Sequence, residues 1–195
     1  MPKINYNDLV FFDLKTTRLE NGSIIEIGAV DASSGDELSI RVEFDPEKAD
    51  EGALMASDYS ERRWRDAVSL PDALGQFSEF LRNHATLART SKAGNEYMVA
   101  AVAGFNVRNF DIGVLMRETK SLNLFLPMDM RCYDVFPLAM WRMPNLDSYS
   151  LDSLLEHCGM PAAGKDALSR ARAAMELARN IVSRPFKFRP LEWAR

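Results

Sequence analysis

The sequence predicts an α/β sandwich: a mixed β-sheet with helices against its faces. Two observations carry this. Short runs rich in β-branched and aromatic residues fill positions 9 to 44, and runs with helical spacing dominate from position 69 onward. Between the helical runs lies one continuous apolar stretch, "MVAAVAG" at 98 to 104, of the kind found in a strand buried on both faces. Three strands, then helix, strand, helix and further helices is the order of such a fold.

The elements follow in chain order. "DLVFFD" and "SIIEIGAVD" are strand-like runs separated by the turn residues "ENGS", and "LSIRVEF" alternates apolar with polar, so the three form an antiparallel meander. A polar region spans about 45 to 68. In "SLPDALGQFSEFLRNH", Ser69 is placed to cap a helix that carries Leu74, Phe77, Phe80 and Leu81 on one face. "MVAAVAG" runs as one strand into a helix starting near Asn109, and further helices are expected at about 135–141, 150–158 and 165–183. On the last, Ala167, Ala171, Ala174, Met175, Ala178 and Val182 form an apolar face whose alanines permit close approach to the sheet.

A chain of 195 residues suits one domain, expected over 1–183 and followed by a short tail. Hydrophobic residues at 47% and charged ones at 27% give the balance of a soluble globular protein. No apolar run approaches membrane-spanning length, and "MPKINYND" lacks the apolar segment of a signal peptide, so no membrane partner and a cytoplasmic location are expected. The net charge of -4 means that any nucleic-acid binding must come from a local patch. Cys132 and Cys158 lack metal-site spacing and read as reduced thiols.

Four stretches carry a resemblance. "FFDLKTTRLENGSIIEIGAV", "AGFNVRNFDIGVLMRE", "DVFPLAMWRMPNLDSYSLDSLLEHCGMP" and "GKDALSRARAAMELA" stand in the order and spacing of the motifs of the DnaQ-like 3′ to 5′ exonucleases of the DEDDh group. The resemblance covers nearly the whole chain and implies a ribonuclease H-like sheet, three antiparallel strands and then parallel ones, flanked by helices. It further implies a site where four carboxylates hold two divalent ions, the ions activate water against a phosphodiester, and a histidine accepts the proton. Hard oxygen ligands of that kind suit magnesium or manganese.

Against that pattern the chain departs at the centre. The first and third carboxylates are matched by Asp13 and Asp111, but Lys15 stands at the second, Arg170 at the fourth and Lys165 at the histidine. Arg18 replaces the glycine of the first motif, and Phe105 replaces the histidine that precedes Asn106 in the second. Asp13 and Asp111 against Lys15, Lys165 and Arg170 give a formal charge of +1 where the family carries about -4. The expectation is therefore a site without catalytic or metal-binding capacity and with no cofactor, in which Lys15 pairs with Asp13 and Asp111. Any metal would fall to those two aspartates. Asp166 precedes Arg170 by four residues and is expected to pair with it, as helix neighbours do. Glu26 reads as the structural glutamate of its strand, and His84 and His157 as surface or helix-end residues.

The tail, residues 184–195, interleaves Arg184, Lys187, Arg189 and Arg195 with Phe186, Phe188 and Trp193. It reads as a strap over an apolar edge, with a partner or nucleic-acid contact as alternatives. Three functions follow. The first is a pseudo-exonuclease that binds a protein partner or a nucleic-acid 3′ end, with Lys15, Arg18, Phe105, Asn106, Lys165 and Arg170 as candidate contacts. The second is an active magnesium- or manganese-dependent exonuclease with displaced ligands. The third is a decoy occupying an exonuclease's place in an assembly.

Overall fold

The structure, a computed structural model, describes residues 5–183; the basic and aromatic tail at 184–195 lies outside them. The expected meander forms as β1 (Leu9–Thr16), β2 (Ile24–Asp31) and β3 (Glu37–Arg41), with antiparallel β1–β2 and β2–β3 pairing. Asn21, in the turn between β1 and β2, takes a left-handed φ of 54°, a conformation that Asn tolerates better than most residues. The polar region then holds a 3-10 turn at Pro46–Lys48 and the short α1 (Glu51–Ala56), after which α2 (Leu70–Asn83) begins at Ser69, whose hydroxyl accepts from the Asp72 amide.

The stretch "MVAAVAG" is not one strand. Residues 96–99 form β5 (Glu96–Val99), which pairs with β4 (Leu87–Thr90) in a separate hairpin, and residues 101–104 form β6 (Ala101–Gly104) in the main sheet. Ala100 makes the break. Its amide donates to Pro127 O and its carbonyl accepts from Asp129 N, both at 2.8 Å, so the backbone changes partners at that point. The loop after "MVAAVAG" gives way to α3 (Asp111–Ser121), then β7 (Tyr133–Asp134), α4 (Val135–Arg142), α5 (Leu151–His157) and α6 (Ala167–Ser183). In the main sheet the order is β3-β2-β1-β6-β7, with β6 and β7 parallel to β1. This is the mixed α/β architecture that the sequence predicts.

Side-chain alternation divides β1 between two cores. Val10, Phe12 and Leu14 face α2 and α3, among them Leu74, Phe77 and Leu115, whereas Leu9 and Phe11 face α4, α5 and α6. The apolar face of α6 departs from expectation: Leu177 and Ile181 are fully buried beside the alanines, while Met175 is half-buried and Val182 is 57% exposed. The expected face was rotated by a fraction of a turn, because a mixed set of small and large side chains admits neighbouring phases.

Close seating of α6 on β2 depends on two residues. A Cβ at Gly28 would lie 2.1 Å from the Leu168 amide nitrogen, so only glycine admits the helix backbone. Two residues earlier on the same face, fully buried Glu26 accepts from the Ala167 amide at 3.0 Å and satisfies a donor in the first turn of α6. Gly28→Ala should therefore destabilise the domain by ~1–3 kcal/mol in urea unfolding, since neither backbone can retreat without opening the core. Unchanged stability would contradict the close approach.

Candidate functional site

The site forms where the C-terminal half of β1 meets the first turns of α3 and α6. Asp13 and Lys15 share the face of β1 that carries Leu9 and Phe11, because side chains two apart on a strand point the same way. That face is turned toward α6. Lys15 Nζ lies 3.5 Å from Asp13 Oδ2, and Arg170 Nε, one turn into α6, lies 3.7 Å from Asp13 Oδ1. A cation thus stands at ion-pair distance from each oxygen of this carboxylate, although neither donates a hydrogen bond to it and the buried Oδ2 has no hydrogen-bond partner among the described residues. The Asp13 and Lys15 side chains are 14% and 13% exposed and that of Arg170 is 25% exposed, so water screens these charges little.

Asp111 opens α3 and is almost fully buried. Its Oδ1 accepts from the Leu14 amide at 2.8 Å, which ties the start of α3 to β1 between Asp13 and Lys15. Lys15 forms its ion pair with Asp13; its charge reaches Asp111 and lowers that carboxyl, but the expected second ion pair does not form. Burial, and next the charge of Asp13, push the Asp111 carboxyl well above the usual carboxylate range, opposed by the Leu14 bond. Burial also raises Asp13, against the lowering charges of Lys15 and Arg170.

Two expectations about α6 require correction. Lys165 is exposed, forms no ion pair among the described residues, and does not line the groove around Asp13. It precedes the helix in a bend, where no packing draws it inward. Asp166 does not pair with Arg170 through its side chain. Its Oδ1 and Oδ2 accept from the Ser169 amide at 2.8 Å and the Ser169 hydroxyl at 2.6 Å, an N-capping arrangement in place of a helix-face ion pair. Burial works to raise Asp166, but these bonds hold it below the ordinary carboxylate value. Arg170 is thereby left for Asp13 and, through Nη1 at 3.7 Å, for Asp152 on α5. Asp152 is not among the site residues that the sequence predicts; its one signal is its place in the first turn of a helix that packs beside α6.

The groove has a volume of ≈ 580 Å³. Arg18, Phe105 and Asn106 line it, together with Asp50, Phe110 and Ser150. Arg18 is turned outward, where its guanidinium donates to the Lys48 carbonyl. Phe105 packs edge-on against Phe136 at 5.8 Å, and Asn106 holds a left-handed φ of 59° while its amide donates to Asp134 at 2.8 Å. Asp134 also caps α4 and accepts from the Arg108 amide, so one carboxylate fixes the loop that carries Phe105. Asp13, Asp50 and Asp111 against Lys15, Arg18 and Arg170 line the groove, giving a net formal charge of zero rather than +1, because Lys165 is outside while Asp50 and Arg18 are both inside.

Away from the groove, Cys132 is buried and its thiol is pushed up to about 12, chiefly by desolvation, while Cys158 is half-buried; both are free. His84 ends α2, facing Asp36 at 3.1 Å, and His157 is exposed in the last turn of α5, the helix-end positions expected of them. Among the described residues no group of three His, Cys, Asp or Glu side chains is arranged to hold a metal ion, and no helix is long and apolar enough to cross a membrane. The residues around Asp13 do not fit the two divalent ions that the resemblance implies: a metal there would replace two cations already at 3.5 and 3.7 Å.

No protein-family model and no curated protein sequence matches the chain. Solved structures do match its fold. Exonuclease I superposes with a TM-score of 0.71 at 13% identity over 90% of this chain and 41% of that one. The zinc-bound E. coli exonuclease I complex with single-stranded DNA gives 0.70 at 14% identity over 90% and 40%. Exonuclease I crystallised with SSB and the inhibitor CFAM gives 0.69 at 14% identity over 90% and 41%. The chain thus spans about two fifths of the exonuclease I chains it matches, and at these identities the likeness establishes a shared exonuclease-type fold.

The Asp13–Asp111 pair has a measurable consequence. Its folded-state values lie above the ordinary carboxylate value of 3.8, so the native protein holds protons that the unfolded chain releases. Stability should therefore fall as pH rises from 3.8 through the raised range of the pair. Asp111→Asn retains an acceptor for the Leu14 amide and removes one of the two titrating groups, so urea unfolding from about pH 4 to about pH 8 should show a flatter decline, with Asp13 and Glu26, both raised by burial, contributing what remains. An unaltered slope would contradict the coupling.

Proposed function

We propose that the protein is a catalytically degenerate DnaQ-like exonuclease-fold protein whose former metal centre is closed by its own cations, and that it acts as a binding module for a protein partner. The observation that carries this reading is the pair of cations beside Asp13, Lys15 at 3.5 Å from one oxygen and Arg170 at 3.7 Å from the other. A divalent ion entering there meets two fixed positive charges and, of the four ligands the resemblance implies, only Asp13 and Asp111. Asp111 is held toward its neutral form, which is a poor ligand for a hard cation.

The exonuclease I relatives bind single-stranded DNA and SSB, which makes both a nucleic-acid 3′ end and a protein reasonable partners for this fold. The surface beside the site favours the protein. A wider groove of ≈ 960 Å³ adjoins it through Arg18, Leu19 and Asp50 and carries Glu20, Glu43, Asp45 and Asp50 against Arg18 and Lys48. A phosphodiester backbone following that path would meet an excess of carboxylates, whereas nucleic-acid tracks carry an excess of Lys and Arg. No cofactor is required by this reading, and a decoy that replaces an active subunit is one form such a module can take.

The test is an assay of purified protein on 3′-labelled single-stranded DNA and RNA with magnesium or manganese. No 3′ trimming above a buffer control is expected. Trimming abolished both by chelator and by Asp13→Asn would overturn the proposal and establish the metal-dependent alternative.

A further inference from the structure

A second groove, of ≈ 560 Å³, lies between the β4–β5 hairpin, α3 and the loop at 122–130, and shares no residue with the groove around Asp13. Strand register places Arg89 opposite Tyr97 and Leu87 opposite Val99, so Arg89, Tyr97 and Val99 share the hairpin face that lines it. From the other side come Met116 of α3 and the loop residues Leu124, Phe125 and Met130. Their exposures are 54%, 41%, 66% and 48%, a concentration of bare apolar surface unusual for a chain with 27% charged residues. Methionine side chains suit such a place because they adapt to differently shaped apolar groups.

Charge gives the groove its selectivity. Asp129, only 6% exposed, accepts from Arg89 Nη2 at 2.7 Å and from Arg131 Nε and Nη2 at 3.0 and 2.8 Å. One carboxylate under two guanidiniums leaves a positive surplus at that end, and Lys120 of α3 adds another cation to the lining. Each arginine retains donors not spent on Asp129, because a guanidinium carries five N–H groups. The whole chain is net negative at -4, so this basic rim around an apolar floor is a local reversal of sign.

We propose that this groove docks a short linear segment of a partner protein in which a bulky apolar side chain lies next to carboxylates. The apolar residue fills the floor between Met116 and Phe125, and the carboxylates engage Arg89 and Arg131 in charge-assisted bonds. The chain's own 184–195 segment, with four basic residues and one acid, carries the wrong net charge to complement this rim. Single-stranded nucleic acid fits less well: the Tyr97 and Phe125 rings meet at 72° with centroids 6.0 Å apart and offer no parallel platforms for stacked bases. The proposal goes beyond the reading of the Asp13 site, uses none of its residues, and stands or falls apart from the nuclease assay.

The experiment is selection from a random 12-residue peptide library displayed on phage, followed by fluorescence polarisation with a labelled synthetic copy of the selected consensus. The expected consensus places an aromatic or long aliphatic residue beside Asp or Glu. Its affinity should fall tenfold or more in Met116→Glu and in Arg131→Ala, and should weaken steeply with salt. Met116 and the Arg131 side chain are each more than half exposed, so both variants should fold, and Phe125→Ala at another exposed position provides a third arm. Three results would each overturn the proposal: no enrichment over an unrelated protein, a consensus without acidic residues, or binding indifferent to all three variants. So would a Met116→Glu-sensitive affinity for a dT12 oligonucleotide in place of the peptide.

Discussion

The seating of α6 against β2 is the constraint on which the site depends. Gly28 lets the two backbones approach and the buried Glu26 carboxylate holds the Ala167 amide, so the helix has one height and one rotation relative to the sheet. Arg170 lies one turn beyond that contact. Its reach to Asp13 is therefore set by a backbone fit rather than by the weak mutual attraction of two flexible side chains. The same fit gives a use to Glu26, fully buried with its pKa raised by desolvation, among the apolar residues and glycine that make up β2 before its terminal Asp31.

From that geometry the electrostatics follow. The charge of Asp13 disfavours that of Asp111, and burial raises both carboxyls. An ammonium two residues along the strand and a guanidinium from the facing helix offset the charge of Asp13, and Arg170 extends the network to Asp152. Removing one partner from such an enclosed set leaves a stranded charge, typically at a cost of ~3–5 kcal/mol.

Much of this was legible in the sequence. The three-strand meander, the Ser69-capped helix and the order of elements follow from periodicity and turn chemistry, which are local properties. The proximity of Lys15 to Asp13 also follows locally, from the two-residue repeat of a strand. What escaped was the outcome of competition between partners. Asp166 had two uses open to it, pairing with Arg170 or capping α6, and the cap prevailed because Ser169 offers two donors at once. Lys165 was placed at the centre by motif alignment alone, which fixes position along the chain but not whether a side chain turns inward. The division of "MVAAVAG" depends on Pro127 and Asp129, almost thirty residues away, whose bonds to Ala100 no local pattern encodes.

The central claim is that Lys15 and Arg170 stand where metal would, and calorimetric titration with manganese tests it most directly. The parent protein should take up no manganese at millimolar concentration, whereas Lys15→Glu/Arg170→Asp, which returns two carboxylates to the groove, should bind it saturably. Saturable uptake by the parent, lost in Asp13→Asn, would contradict the account.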